Sequence, residues 1–369
     1  MSISIESDLV ILLKSGLSQK NSRSINDSHE ITQKSRKIMR AYIIKRLLFI
    51  IPTLLGISLV TFVIIQALPG QPYYAKLATM QLSGQQNPVT PEIIEQTKKL
   101  YGMDKPIVVQ YLRWLKRIVT LDFGYSFKDQ RKVIVKIKER LPITITLSLI
   151  SLFITYIVSI PVGIYSSTHQ GKISDKIITV VLFVLYSIPT FWLATMLMLF
   201  FCGDTFLNIF PVTGILSTGA EDYPFFKKLL NIAWHLVLPI SSLTYFAFAR
   251  LSRYVRAGML EVIRQDYIRT ARAKGLSERV VIFKHAFRNS IIPIITLLAY
   301  LLPELIAGSL IIEMIFSIPG MGLLTYEAIL ARDYPVIMAT TTIDAILTLV
   351  GILLSDVLYA MVDPRITFD

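Results

Sequence analysis

Residues 266–296 read DYIRTARAKGLSERVVIFKHAFRNSIIPIIT. The stretch is polar and strongly basic, yet apolar runs long enough to cross a bilayer flank it on both sides. Residues 264–274 hold good helix formers and neither Gly nor Pro. Lys274 falls in the last turn, and Gly275 follows where a left-handed residue closes a helix. Ser277 is a fair N-cap for a second helix, with Glu278 favourable at its positive end. That second helix continues through Val280, Val281, Ile282 and Phe283. A charged helix–glycine–helix element held between membrane spans is most simply a docking device that passes force between the spans and something soluble.

Composition agrees with a membrane setting. The 369 residues are 53% hydrophobic and 17% charged, whereas soluble domains carry about 45–50% apolar residues and about 25% charged ones. The expected class is an all-α polytopic membrane protein. A net charge of +13 then records Lys and Arg in cytoplasmic loops rather than nucleic-acid binding. One cysteine, Cys202, excludes an internal disulfide and a zinc-binding cysteine cluster. It lies in an apolar run and reads as a small buried side chain.

Taken in order, residues 1–38 form a polar tail rich in Ser, Lys and Asn, without the apolar core and cleavage site of a signal peptide. They read as a cytoplasmic tail, or Met39 is the true start. Residues 39–68 give the first span, uncharged over 47–68 and preceded by Lys45 and Arg46. Residues 69–140 are a long polar stretch with a helix start at Thr90-Pro91-Glu92 and an amphipathic helix at 107–121 carrying Trp114 and Leu115 on its apolar side. Its basic charge argues for an inside location, but long segments translocate largely regardless of charge. It is expected as an extracytoplasmic subdomain.

Residues 141–363 supply five further spans, at 141–168, 177–203, 229–249, 291–312 and 336–362. Pro142, Pro161, Pro189 and Pro239 lie in them or at their ends, as membrane helices tolerate. The link at 169–176 carries Lys172 and Lys176 and belongs inside, as does the loop 258–290. Residues 204–231 and 316–335 belong outside, the latter with a Pro319-Gly320-Met321-Gly322 turn before a short helix at 323–331. Residues 364–369 are a C-terminal tail. Six spans put both termini and the basic loop in the cytoplasm. Arg250, Arg253 and Arg256 fall three apart on one helix face at the membrane boundary. Snorkelling to lipid phosphates is favoured over contact with an acidic soluble partner.

Glu304 and Asp344 lie inside apolar spans. Intramembrane acids usually face a protein interior or a water-filled path, so they mark a substrate pathway, a contact with a second membrane subunit, or a hydrogen bond between helices. No GxxxxGK[ST] phosphate loop occurs, nor HExxH, nor a Cys/His cluster. His29, His169, His235 and His285 are scattered. No catalytic residue, cofactor or metal site is expected. Energy and solute capture must come from other chains.

Several stretches resemble the membrane subunits of binding-protein-dependent ABC importers of the dipeptide and oligopeptide branch: YIRTARAKGLS at 267–277 with HAFRN at 285–289 and Pro293, MRAYIIKRLLFIIPTLLG at 39–56, DKPIVVQYLRWLKRIVTLDFGYSF at 104–127 and SDVLYAMVDPRITFD at 355–369. In the general form of the loop an acidic residue and two alanines precede the glycine. Arg269, Thr270 and Ala271 hold those positions here, and Pro293 lies farther from Gly275, both usual for the peptide branch. The resemblance implies a type I importer permease fold with six transmembrane helices. It implies a second permease subunit in a heterodimer, two cytoplasmic ATPase subunits, an extracytoplasmic solute-binding protein and an inner-membrane lipid environment. It assigns ATPase coupling to Asp266, Tyr267, Arg269, Thr270, Ala271, Arg272, Ala273, Lys274, Gly275 and Leu276, with Thr270, Ala271 and Ala273 permitting close approach.

Related importers also carry nickel chelates or oligosaccharides, and the binding protein chooses among cargoes. Two other readings fare worse. An intramembrane enzyme would have to use Glu304 and Asp344, which no motif supports. A DNA-binding helix-turn-helix would have both ends entering the membrane within a few residues, leaving no way to reach a major groove.

Overall fold

The computed structural model describes residues 44–67, 104–203, 206–290 and 309–362, together with Glu95. Packing divides the chain into a unit of Met1–Thr53 with Asp363–Asp369 and a unit of Leu54–Val362. Among the described residues regular structure is helical, apart from two isolated bridges, Tyr125 with Lys132 and Cys202 with Phe210. The helices are α1 (Ile44–Ala67), α2 (Ile107–Thr120), α3 (Val133–Thr168), α4 (Ile173–Ser187), α5 (Thr190–Phe201) and α6 (Phe225–Ile263). They continue with α7 (Asp266–Ala273) and α8, a continuous run of Glu278–Val280, a π-helical Val281–Phe287 and Arg288–Ser290. The last three are α9 (Leu310–Ile315), α10 (Met321–Leu330) and α11 (Tyr334–Val362).

The chain is an all-α polytopic membrane protein. Among the described residues, four helices, α1, α3, α6 and α11, are long and apolar enough to cross a bilayer, and α4 with α5 would make a fifth. Over the expected single span at 177–203 the chain forms two helices, α4 and α5, bent by 96° from one another. Ile188 is extended and Pro189 offers no N–H, so the ladder stops there. The Tyr245 hydroxyl donates to the freed Ile188 carbonyl at 2.7 Å, which satisfies inside the protein a group that lipid cannot. Most of the expected span at 291–312, with Glu304, lies outside the described residues, as do the helix start at Thr90 and the tails at 1–38 and 364–369.

Helix α6 also runs 14 residues past Ala249, the expected end of its span. Charge at Arg250 does not end it, because Leu251, Val255 and Met259 continue a buried stripe at every fourth position. That stripe packs on α3. Ser151, Thr155, Ser159, Gly163 and Ser167 recur every fourth residue along α3 and are all buried. Small side chains let two membrane helices approach closely. A Cβ on Gly163 would sit 2.6 Å from Val255 Cβ and 2.8 Å from the Ser252 carbonyl oxygen, and Ser159 Oγ donates to the Phe248 carbonyl at 3.3 Å.

Two buried acids that hydropathy does not single out organise the rest. Glu313, on α9, lies at the N-terminus of α10. Its carboxylate accepts from Leu323 N–H at 2.8 Å and from Thr144 Oγ1 at 3.1 Å, while Thr144 Oγ1 accepts from Met321 N–H at 2.8 Å. Side chains of α3 and α9 thus supply the cap that Gly320 cannot. The Pro319-Gly320-Met321-Gly322 turn needs its glycines for closeness: a Cβ on Gly320 would come within 2.3 Å of the Glu313 carboxylate, and one on Gly322 within 2.9 Å of the Leu310 backbone. Gly320→Ala is therefore expected to displace Glu313 from the helix end and cost about 1–3 kcal/mol, read as a lowered unfolding temperature of the solubilised protein. An unchanged temperature would refute the tight cap.

Asp333, between α10 and α11, accepts from Ser126 Oγ and from Phe127 N–H at 2.8 Å. It pins the loop after α2 to the start of α11. Trp114 and Phe123 share a core there with Phe62, Met321 and Val336.

Candidate docking site

The basic hairpin is seated on the end of α6. After Ile263, Arg264 and Gln265 make a two-residue joint, and the Gln265 carbonyl accepts from Ile268 N–H at 3.1 Å to start α7. The first helix of the hairpin is therefore Asp266–Ala273, two residues shorter at its start than the run 264–274. Its inward face is Ile268 and Ala271, in one cluster with Ile164, Leu251, Val255, Met259, Val281 and Ala286. Ile268 is completely buried. Ala271 thus seats the helix rather than presenting itself for close approach.

The turn forms as its sequence directs. Gly275 has φ +77°, its N–H donates to the Arg272 carbonyl at 2.9 Å, and Leu276 N–H donates to the Ala271 carbonyl at 3.4 Å. This paired closure is the Schellman motif, which favours glycine at the left-handed position. Ser277 stands at the N-cap position of α8, but its side chain makes no cap bond. Instead, Arg272 bridges the turn with two bonds to Glu278, at 3.1 and 2.6 Å. The Arg272 guanidinium holds the Glu278 carboxyl below its usual range. Both side chains are largely exposed, so the pair sets the angle of the turn more than it adds stability.

Past the turn the backbone widens into a π-helix. Val281 and Ala286, five residues apart, are both fully buried, a spacing the ordinary helical repeat would rotate off the seat. The Ser290 hydroxyl then contacts Met259 Sδ at 3.1 Å, and Gly258 lets this strand of the hairpin pass close to α6, where a Cβ would be 3.4 Å from the Ser290 carbonyl oxygen.

The outward face carries Asp266, Tyr267, Arg269, Thr270, Arg272, Ala273, Lys274, Gly275 and Leu276, all exposed. Asp266 is paired with Arg269 at 3.4 Å. Lys274, Arg279, Lys284 and Arg288 have no carboxylate partner among the described residues, so this face is basic. Sequence reading confined to 266–276 left out Arg279, Lys284 and Arg288, which are exposed along α8 in the same hairpin. Arg264 donates to Gln170 at 3.3 Å, tying the joint to the α3–α4 turn.

That turn holds a second unforeseen constellation. Asp175 is buried and accepts from Ser166 Oγ, from Gly171 N–H at 3.0 Å, and from both Nε and a terminal nitrogen of Arg256 at 2.9 Å each. Arg256 therefore does not snorkel to lipid as its boundary position suggested. It is committed to a bidentate ion pair. Asp344, by contrast, is partly buried on α11, with one carboxylate oxygen unpartnered among the described residues.

Residues 159–368 match the family model described as binding-protein-dependent transport system inner membrane component, and residues 39–148 match its N-terminal companion. The chain belongs to this family of transport-system membrane components. The chain is 41% identical over 331 residues to the oligopeptide transport system permease protein AppB of Bacillus subtilis (strain 168), covering 89% of this chain and all of the relative. It is 36% identical to the inner membrane ABC transporter permease protein YejB of Escherichia coli O157:H7, over 90% of this chain and all of that one. It is 36% identical to the dipeptide transport system permease protein DppB of Lactococcus lactis subsp. cremoris, over 89% of this chain and 99% of that one. Membership makes it a transporter subunit, not an enzyme.

Proposed function

We propose that this chain is one of two membrane subunits of an ATP-driven importer of dipeptides or oligopeptides, and that α7 is its contact with a separate ATPase. The observation that carries the reading is the basic outward face of α7, held on a buried seat continuous with the transmembrane helix α6. The relatives named for oligopeptide and dipeptide transport support the cargo class. In this reading the chain crosses the membrane six times, with 291–312 as the fifth crossing and 336–362 as the sixth. Both termini and the hairpin are cytoplasmic, and 69–140 stands outside, where a binding protein delivers solute. Residues 141–363 form the permease core, with Glu304 and Asp344 toward the pathway or the second membrane subunit. ATP-driven closure of two ATPases draws the paired hairpins together, and α6 passes that motion to the spans, switching the pathway between inward-open and outward-open.

Orientation is testable with one added thiol. Cys202 is buried and donates to the Pro211 carbonyl, so Lys274→Cys in a Cys202→Ala background offers a single reactive site. A membrane-impermeant maleimide is expected to label it in inverted vesicles and not in right-side-out ones. The opposite pattern would overturn the topology and the docking role together.

A further inference from the structure

A cleft of about 510 Å³ opens between α4 and α6 and is lined by Thr179, Tyr186, Arg250, Arg253, Tyr254 and Arg256 among others. Its charge is not balanced from within. Arg256 is committed to Asp175, whereas Arg250 and Arg253 have no carboxylate partner among the described residues. Arg253 lies over the Tyr186 ring, 5.4 Å from its centroid, a cation–π contact that holds the guanidinium in place without using its donors. Tyr186 is itself stacked on Phe246, with centroids 5.0 Å apart. The result is a pair of arginines with free donors, one of them pre-oriented, above a floor of aromatic rings.

Depth says what reaches this cleft. Helices α4 and α6 run antiparallel, Asp175 meeting Arg256 at one level and Tyr186 meeting Phe246 at another. Arg250 and Arg253 fall between those levels. Over the same turns, α4 turns Thr179, Leu182 and Tyr186 toward the cleft and leaves Ile177, Val180, Val181 and Val184 exposed on its opposite face, as a helix at the rim of a bilayer would. In the topology proposed above, the guanidinium groups fall at the end of the apolar part of α6, at the level of lipid phosphates. Basic pockets between transmembrane helices at this depth bind anionic head groups, and arginine forks match phosphate oxygens two at a time.

We propose that this cleft is a binding site for the phosphate head group of one anionic phospholipid of the adjoining leaflet, held by Arg250 and Arg253 on the Tyr186 face. A lipid there bridges α4 to α6 just above the joint that carries the docking hairpin. A free phosphate shares the chemistry but lacks the acyl chains.

The test uses the full chain in its purified transporter complex, stripped of lipid and titrated with phosphatidylglycerol, phosphatidylcholine or inorganic phosphate under native mass spectrometry. Retention of phosphatidylglycerol over phosphatidylcholine is expected. In Arg250→Gln/Arg253→Gln, affinity should fall about tenfold or more, as loss of charge-assisted bonds to phosphate implies. Arg250→Lys/Arg253→Lys should recover only part of it, because lysine keeps the charge without the fork. Should the glutamine pair fail to assemble, Tyr186→Leu carries the test and should weaken binding several-fold. Undiminished phosphatidylglycerol binding in the charge-removing variant, or in Tyr186→Leu where that stands in, would overturn the site. So would equal retention of phosphatidylcholine. Displacement of the lipid by millimolar phosphate would overturn the lipid assignment in favour of a free anion. Displacement by a dipeptide would overturn it in favour of a solute contact.

Discussion

Replacing Gly275 by Asp is expected to abolish peptide uptake while leaving the protein inserted and folded. Two effects combine. Gly275 holds φ +77°, and a Cβ there would meet nothing within 4 Å in this chain. No internal clash follows, and the backbone cost of the left-handed conformation is about 1–2 kcal/mol. That is too little to unfold a protein whose hairpin is anchored by Ile268, Val281 and Met259. The larger effect lies outside the chain. The carboxylate would project from the basic outward face at the turn, where a partner must approach, and reverse the local charge. Uptake of a labelled dipeptide by proteoliposomes is expected to drop by more than tenfold, with membrane abundance unchanged. Gly275→Asn separates the causes, since asparagine tolerates the left-handed region without charge and should retain part of the activity. Normal transport by Gly275→Asp would remove the docking role from α7.

The second large effect is expected at Arg256. Arg256→Met leaves the Asp175 carboxylate buried at 3% exposure without its guanidinium, and breaking a buried pair from one side costs about 3–5 kcal/mol. The solubilised protein should lose most of its thermal stability, or fail to accumulate. Asp175→Asn should cost less, because the amide is neutral, its carbonyl oxygen can still accept from Gly171 N–H, and its amino group can donate to the Ser166 hydroxyl. The double variant Asp175→Asn/Arg256→Met should be more stable than Arg256→Met alone, because no uncompensated charge remains. Additive losses in the double variant would show that the two side chains are not coupled, contrary to their 2.9 Å geometry.

Local chemistry made the hairpin readable. Lys274-Gly275-Leu276 closes a helix for reasons contained within four residues, and the structure follows it down to both Schellman bonds. Spans were readable wherever uncharged runs continued, as in α3. What escaped were features set by residues far apart in sequence. The break between α4 and α5 needs Pro189, but also Tyr245, 57 residues from Ile188, to donate to the freed Ile188 carbonyl. The Asp175 pair joins residues 81 apart, so Arg256 on its own looked like one more boundary arginine. Glu313 stood at the edge of an apolar run and gave no sign that Thr144 and α10 would enclose it. The recurrence of small residues every fourth position in α3 was present in the sequence, yet hydropathy averages over it. Ala271 shows the opposite limit: resemblance assigned it to a contact surface, and only the packing of α7 shows that it points inward.

Helix α6 and the two-residue joint after it have a mechanical corollary. At 1.5 Å per residue its 39 residues span roughly 60 Å, so a tilt of about 10° about the middle displaces each end by about 5 Å. With only Arg264 and Gln265 between α6 and α7, rocking of α6 by that amount would carry the hairpin through about the pitch of one helical turn.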